Sequence, residues 1–504
     1  MMGHLMGRAK FGQIRSFFVL CAVLGAAPGL ARALQEPGDP EALARGPIHE
    51  AFAGPIVYNP APGLVIPKPP PSTQIEEQPP AEKPQGMDVE WIPGYWAWDD
   101  ERNDYIWISG IWRDIPPGRQ WVPGYWSQAE GGFRWTSGFW TSTAANGQVS
   151  YLPAPPQTLE VGPNSPQPGP DFLWSPGSWA WSENRYVWRP GYWVQAQPNW
   201  VWVPPSYVAT PGGFVYIDGY WDYPIARRGL PFAPVAFGPA YYTQPAYVYR
   251  PSVVLSIGGL TANLFIRPSY NQYYFGDYYG PAAYGARAGY VPWFAYQHQR
   301  FGYDPIYASM AANHPGKVEW ERQIRTEYRY RVEHVEARPA PTFAAQREQV
   351  EQRRARGEDV RGLEVAHPLR QWANHPEAAR PLVPVGRDHG VELARRQASV
   401  REMQQNRARV EEKARGASVG RSEGQQPQRL EIHRALEPHF QARGLAVPPA
   451  HPEPHQDFRP NFGNEFHREP GPAQNRAEPR RGPEPARAHK EPRPREGEEH
   501  HKPR

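Results

Sequence analysis

Between residues 88 and 224 the hydrophobic positions are mostly aromatic and alternate with small or polar ones. Trp179-Ala-Trp181 and Trp200-Val-Trp202 show this alternation, which puts both indoles on one face of a strand. A box, W/Y-x-x-G-x-W, begins at Trp91, Trp107, Trp121, Trp135, Trp174, Trp188 and Tyr216. Its glycines are Gly94, Gly110, Gly124, Gly138, Gly177, Gly191 and Gly219, and it closes on Trp96, Trp112, Trp126, Trp140, Trp179, Trp193 and Trp221. A degenerate eighth, Trp202-Val-Pro-Pro-Ser-Tyr207, falls where the spacing places one.

The box predicts a tight β-hairpin. With Pro190-Gly191 as a two-residue loop, Trp188 would face Trp193 and Arg189 would face Tyr192. Indoles at a cross-strand separation of roughly 4.5–5.5 Å gain roughly 0.5–1.5 kcal/mol from edge-to-face contact. Glycine would supply a positive φ in the loop. Ser109-Gly110, Ser137-Gly138 and Asp218-Gly219 suit primed turns. The Pro-Gly pairs at 93–94, 123–124, 176–177 and 190–191 favour a type II turn, which splays the strands unless a bulge repairs it.

In residues 171–224 the boxes step by fourteen, and Trp181 with Tyr186 forms a second pair of the same spacing between them. Gln195 with Trp200 and Ala209 with Phe214 are degenerate versions. The unit is then seven residues, and the block counts as eight short strands in an up-and-down meander. Residues 88–142 repeat the plan in steps of sixteen, fourteen and fourteen, the two extra residues falling in the loop Asp99 to Asp104. Two blocks of four boxes point to an internal duplication. So many rings on one face exceed the few hundred Å² that a monomer ordinarily exposes. The expected fold is therefore mainly β, with two blocks packed as a sandwich or as small barrels. The sandwich is preferred, because the linker 143–170 already tethers the covering partner.

Composition limits what else can fold. The 63 Pro and 47 Gly of 504 residues leave only part of the chain for a packed core, and a net charge of +4 calls for no nucleic acid. Residues 1–33 read as an export signal: Arg8, Lys10 and Arg15, an apolar run from Phe17 to Leu30, then Ala31-Arg32-Ala33. That run is too short to expect a membrane span, so no transmembrane segment is expected once the signal is removed. Cys21 lies inside it, which leaves no cysteine for the exported chain. Residues 34–87 read as a Pro-rich disordered spacer. In 225–310, rich in Tyr, Gly and Pro, the runs from Val253 to Ile257 and from Leu260 to Ile266 read as two strands around a Gly258-Gly259 turn. Residues 311–416 read as charged helices: 317–338 with Trp320, Ile324, Tyr328 and Val332 on one stripe, then 343–356 and 391–415. In the last, Leu393, Val400, Met403 and Val410 have heptad-like spacing that Arg396 and Arg407 interrupt, which favours a solitary solvated helix over a coiled coil. Residues 417–504 read as a disordered polyampholyte tail.

No G-x-S-x-G, H-E-x-x-H, phosphate loop or dinucleotide fingerprint occurs, and no catalytic residue, cofactor or metal site is expected. The loop Asp99 to Asp104 lacks the central Gly and terminal Glu of a calcium loop and reads as a solvated hairpin tip. The histidines His451, His455, His467, His489, His500 and His501 are irregularly spaced and read as a solvated tail. The aromatic array reads first as core. Trp98, Trp181 and Trp293 are the candidates for stacking on sugar rings.

The boxes resemble the WxxGxW (YxWGxW) repeat of exported bacterial proteins. Tyr105-Ile-Trp107, Phe133-Arg-Trp135 and Tyr186-Val-Trp188 carry the resemblance most closely, over about 88–224. It implies export to the periplasm, cell envelope or medium and supplies no reaction. The expected function is that of a non-enzymatic structural or interaction protein of the envelope, the alternative a polysaccharide- or wall-binding module. Candidate partners are an envelope protein, a polysaccharide or a second copy of the chain.

Overall fold

In the computed structural model each box runs straight through its Pro-Gly or Ser-Gly pair and pairs, end to end, with the next box. Trp91 faces Trp112 and Trp96 faces Trp107. Trp121 faces Trp140 and Trp126 faces Trp135. Trp174 faces Trp193 and Trp179 faces Trp188. Trp202 faces Trp221 and Tyr207 faces Tyr216. The register is the same on both sides of each glycine, so no bulge intervenes. The expected pairing of Trp188 with Trp193 across Pro190-Gly191 is thereby corrected.

The result is four long antiparallel hairpins, 89–114, 119–142, 172–195 and 201–222. Each is interrupted once at its middle, where two boxes cross and proline has no N–H to give the ladder. The chain reverses between boxes instead. At the third tip, Glu183 and Asn184 take φ of 50° and 59°, the sign that a primed turn requires at both positions. Trp181 does face Tyr186, and Ala209 does face Phe214, as the spacing predicts. Gln195 faces Phe172 rather than Trp200.

The structure describes residues 40–431 apart from 87, 146–147, 161, 239–240, 242–246, 281–288, 299–301, 315, 419–423 and 425, together with residue 448. The export signal and the tail histidines lie outside them. The fold is mainly β, with helices concentrated towards the C-terminus. The linker strand Gln148–Leu152 pairs through Tyr151 and Leu152 with Val215 and Phe214 of the second block, and Val122 and Phe139 of the first block pack with Val215 and Ile217 of the second. Much of the remaining aromatic surface is covered by other parts of the chain.

Residues 40–86 are one such cover and not an extended spacer. Ile48, Phe52, Ile56 and Ile75 are buried, and Val65–Ile66 adds a strand to the second hairpin. Region 225–310 is another. Val235 pairs with Trp107, and Leu230 with Trp112. Gly258-Gly259 is no turn: it lies in helix α1 (Ile257–Ala262), where the Ser256 hydroxyl accepts from Gly259 N–H and caps the helix start. The following strands Leu264–Arg267 and Gln272–Phe275 carry buried Phe265, Tyr273, Tyr274 and Phe275.

The charged helices pack on this body. Helix α2 (Pro305–Asn313) starts at Asp304, whose carboxylate accepts from Ile306 and Tyr307 N–H. Helix α3 (Lys317–Glu333) lays Trp320, Ile324 and Tyr328 on the core, and Val332 stays partly exposed. Helix α4 (Phe343–Ala355) follows. The long helix α5 (Arg387–Ser418) is not solitary: it buries Leu393 and Met403 against the hairpins. Among the described residues no helix is long and apolar enough to cross a membrane.

Candidate functional site

The crossing of two boxes is the recurring local structure. The eight facing aromatic pairs have ring centroids 5.2–5.6 Å apart, in edge-to-face or tilted contact. Each tryptophan that opens a box lies over the glycine of the partner box. A Cβ at Gly110 would come 2.5 Å from Trp91 Cζ2, and one at Gly177 would come 2.5 Å from Trp188 Cζ2. Trp107 lies in the same way on Gly94, Trp135 on Gly124, Trp121 on Gly138, Trp174 on Gly191 and Trp202 on Gly219. None of these glycines has positive φ. The glycine is there for close approach of an indole, not for a turn.

Because the ladder breaks at the crossing, its amides need other partners. In the first hairpin Glu77 provides them. Its carboxylate accepts from Gly94 N–H at 2.9 Å, from Gly110 N–H at 2.9 and 3.0 Å, and from Trp107 Nε1–H at 3.1 Å. In the second, Glu50 accepts from Gly138 N–H at 2.9 Å and from Trp135 Nε1–H at 2.6 Å. In the third, Glu160 accepts from Gly191 N–H at 2.9 Å. In the fourth, Pro204-Pro205 stands where a box glycine would be, and Gly219 instead offers its carbonyl to Arg119 Nη2 at 2.9 Å.

Other crossing carbonyls take their hydrogen bonds from an imidazole and a guanidinium. His49 Nε2 lies 3.1 Å from Pro93 O, and Arg407 Nη1 donates to Pro123 O at 2.8 Å and Ser137 O at 3.0 Å. Ala51 N–H donates to His49 Nδ1, so the ring proton sits on Nε2. His49-Glu50 thus clasps the first and second crossings together.

The family model described as a WXXGXW repeat in two copies matches residues 86–113, 169–194 and 212–224. The chain carries WXXGXW repeats. The first two matches each hold two boxes and coincide with one crossing, so the paired box is the structural unit of the repeat. The second hairpin repeats that geometry outside the matched residues. No match to the chain was found among curated proteins or among solved structures.

An open cleft of about 630 Å³ separates the first two WXXGXW crossings beneath α5. His49, Glu50, Glu77, Trp107, Trp121 and Arg401 are among its walls. Burial pushes Glu50 and Glu77 up to about 7 against the N–H donors that pull them down, and it pushes His49 down to about 4. These groups form a proton-sensitive clasp. The folded protein holds the two carboxyl protons more tightly than the unfolded chain. The stability they contribute is full below about 4.5 and lost as pH rises through about 7. His49 works oppositely, but between its unfolded value of 6.5 and about 4. From pH 6 to pH 8 each carboxyl is therefore expected to lower the unfolding free energy by about 1 kcal/mol, with His49 offsetting part of the total as the unfolded chain's imidazole loses its proton. In Glu50→Gln/Glu77→Gln that slope should flatten. Denaturant titration at the two pH values checks this, and an unchanged slope in the double variant would refute it.

The sugar-stacking candidates are differently placed. Trp98 is 6 % exposed, gives its Nε1–H to Asp100 and meets Tyr105 edge-on. Trp293 is 3 % exposed among Tyr307 and Trp320. Both belong to the core, which corrects that expectation; Trp181 is half-buried against Tyr186. The acidic tip is exposed over residues 100–104, as expected of a solvated hairpin tip, and its carboxylates pair at the surface, Asp100 with Arg267, Glu101 with Arg45 and Asp104 with Lys68. Sequence reasoning missed Glu50, Glu77 and Glu160. They lie in Pro-rich segments, and only their position among apolar residues, as in Ala51-Phe52, hints at burial.

Proposed function

We propose that this chain is an exported, non-enzymatic scaffold of the bacterial cell envelope, with the crossed hairpins as its rigid part. The observation that supports this best is how the buried carboxylates are used. Glu50 and Glu77, with ionisation near neutrality in a cleft, are the natural candidates for acid–base chemistry. Each of their oxygens is instead engaged by a glycine amide or an indole N–H. The charged and apolar pattern of residues 8–33 supports export.

Two measurements test the reading. Residues 1–40 fused to alkaline phosphatase should yield active enzyme outside the cytoplasm; a fusion active nowhere removes export. The full chain incubated with isolated envelope polysaccharide should release no soluble sugar. Catalytic release, lost in Glu77→Gln, would make the protein an enzyme.

A further inference from the structure

Two of the segments that bring a carboxylate to a crossing share more than their glutamate. On the first hairpin the segment is a strap over 68–77. Tyr105 OH donates to Lys68 O at 2.7 Å, Trp96 Nε1–H donates to Thr73 O at 3.1 Å, and Glu77 closes the strap on Gly110 N–H. On the third hairpin the strap is 153–160. Tyr186 OH donates to Pro153 O at 2.6 Å, Trp179 Nε1–H donates to Gln157 O at 3.0 Å, and Glu160 closes on Gly191 N–H at 2.9 Å. The donors are equivalent: Tyr105 and Tyr186 face Trp98 and Trp181, and Trp96 and Trp179 face Trp107 and Trp188. Each glutamate stands seventeen residues before the first box glycine of its hairpin, Gly94 or Gly177. Pro69-Pro70-Pro71 and Pro155-Pro156 lead into them. Both straps lie outside the matched residues 86–113 and 169–194. The folded unit is therefore longer than the matched repeat: a proline-rich strap, then a pair of boxes.

The hairpin offers such a segment an indole N–H, a phenol O–H and a glycine amide. The first two go to backbone carbonyls, which any extended residue presents. The third goes to a carboxylate. Proline suits the path because its backbone is already extended and it has no N–H to satisfy. Aromatic-lined grooves take proline-rich peptides in this manner, and the amide at the crossing adds a requirement for an acid.

The two straps are not held equally. The first is locked from outside. Glu76–Glu77 pairs with Val248–Tyr249, Gln397 of α5 donates to Glu77 O, and Ile75 is 5 % exposed. On the third hairpin Ala154, Pro156 and Gln157 are exposed, and Leu159, beside the glutamate, is 65 % exposed. Thr158 N–H donates to the exposed Asn59 side chain at 3.0 Å. The grooves differ as well. Trp96, Trp98 and Trp107 are buried, with Phe237 edge-on to Trp96, whereas Trp179, Trp181 and Trp188 are only half-buried. A longer segment can make the three bonds of the strap and also cover the ring surface that the strap leaves open.

We propose that the aromatic groove of the third hairpin binds an extended, proline-rich segment of a partner protein that ends on a carboxylate side chain, and that residues 153–160 fill it as an intramolecular stand-in. The proposal rests on the scaffold reading in one respect: it takes the hairpins as a platform, and it makes the partner a protein rather than a polysaccharide. Tethering gives the strap an effective concentration on the order of millimolar. The partner's segment must therefore bind more strongly than the strap, and the open faces of Trp181 and Trp188 supply the extra contact.

The test uses the full chain and fluorescence anisotropy with a labelled, C-terminally amidated peptide of residues 152–160. Glu160→Lys sets a cation against Gly191 N–H and frees the strap, so it should bind the peptide roughly tenfold or more tightly than the wild-type chain does. The peptide carrying Glu160→Gln should bind that variant roughly tenfold more weakly. A peptide of residues 68–77 should compete, since it makes the same three bonds on the first hairpin. Tyr186→Phe added to Glu160→Lys keeps the ring, removes one donor and should weaken binding about fivefold. Thermal melts establish that each variant is folded. If Glu160→Lys is not, Asn59→Ala, which releases only the Thr158 anchor, takes its place with the same expected direction. Absence of binding by the opened chain overturns the groove and leaves the scaffold, tested by export and by inertness towards polysaccharide, intact. Equal affinity of the wild-type and opened chains puts the peptide elsewhere and overturns it too, as does equal binding of the glutamine peptide. Displacement of the peptide by chitotetraose would make a glycan the occupant. A wild-type dimer in sedimentation that Glu160→Lys abolishes would make it a second copy. Either result overturns the partner assigned here.

Discussion

Gly110→Ala is expected to destabilise the fold by about 1–3 kcal/mol, while Gly54→Ala should be neutral or slightly stabilising. The added methyl at Gly110 would stand 2.5 Å from the Trp91 ring, 2.7 Å from the Ile92 carbonyl oxygen and 2.8 Å from Glu77. The first of these is a ring fixed by its partner Trp112 at 5.2 Å, and the second is backbone, so neither can give way cheaply. At Gly54 nothing lies within 4 Å, and alanine there only reduces the freedom of the unfolded chain, worth roughly 0.4–1 kcal/mol. A third variant separates the two accounts of the motif. If the box glycine served a turn with positive φ, Gly110→Asn would be better tolerated than Gly110→Ala, since asparagine enters that region readily. If it serves the approach of an indole, the larger asparagine should be the worse of the two. Denaturant midpoints of the three variants decide, and an asparagine variant more stable than the alanine variant would rule out the crossing as the reason for the glycine.

That ambiguity marks where the sequence stops being legible. The fourteen-residue step, the extra residues at the first tip and the facing of Trp181 with Tyr186 all follow from local alternation. The partner of each tryptophan does not. A spacing of five pairs Trp188 with Trp193 across a two-residue loop. The same spacing also pairs Trp188 with Trp179, and Trp193 with Trp174, if the strand runs straight. Both arrangements bury the same rings. Two effects decide between them. Pro-Gly is a poor loop for twisted strands, whereas Glu183-Asn184 adopts the primed conformation. A straight crossing also leaves amides that Glu50, Glu77 and Glu160 can satisfy, and those residues come from segments whose proline content reads as spacer. Ile48, Phe52, Ile56 and Ile75 are too sparse to show a period, so their burial becomes visible only once the hairpins exist for them to cover. The Gly258-Gly259 helix turns on one capping hydroxyl, Ser256, which outweighs the turn tendency of the glycine pair.

Arg407→Leu is expected to cost about 3–5 kcal/mol and to loosen α5, the range seen when one partner of a buried ion pair is removed. At heptad-like spacing this arginine reads as a defect in an apolar seam; in the fold it is the pin of the helix. It is fully buried, with Nε on Glu411 at 2.8 Å and Nη1 on the two crossing carbonyls of the second hairpin. Its guanidinium lies 4.8 Å from the Phe139 ring centroid and 5.3 Å from that of Tyr125. Glu411, equally buried, accepts from Tyr125 OH at 2.6 Å and Tyr151 OH at 2.8 Å. Leucine would leave Pro123 and Ser137 oxygens without their donor and Glu411 without its cation. The loss should therefore exceed that of Arg395→Leu, which removes only an exposed i,i+3 pair worth about 0.2–1 kcal/mol. Arg407→Leu/Glu411→Leu should recover part of the loss, because the double change no longer strands a charge. Hydrogen exchange along 391–415 gives the second readout. Protection there should fall in Arg407→Leu and persist in Arg395→Leu; equal protection in both would show that apolar contacts at Leu393 and Met403 hold the helix without the arginine.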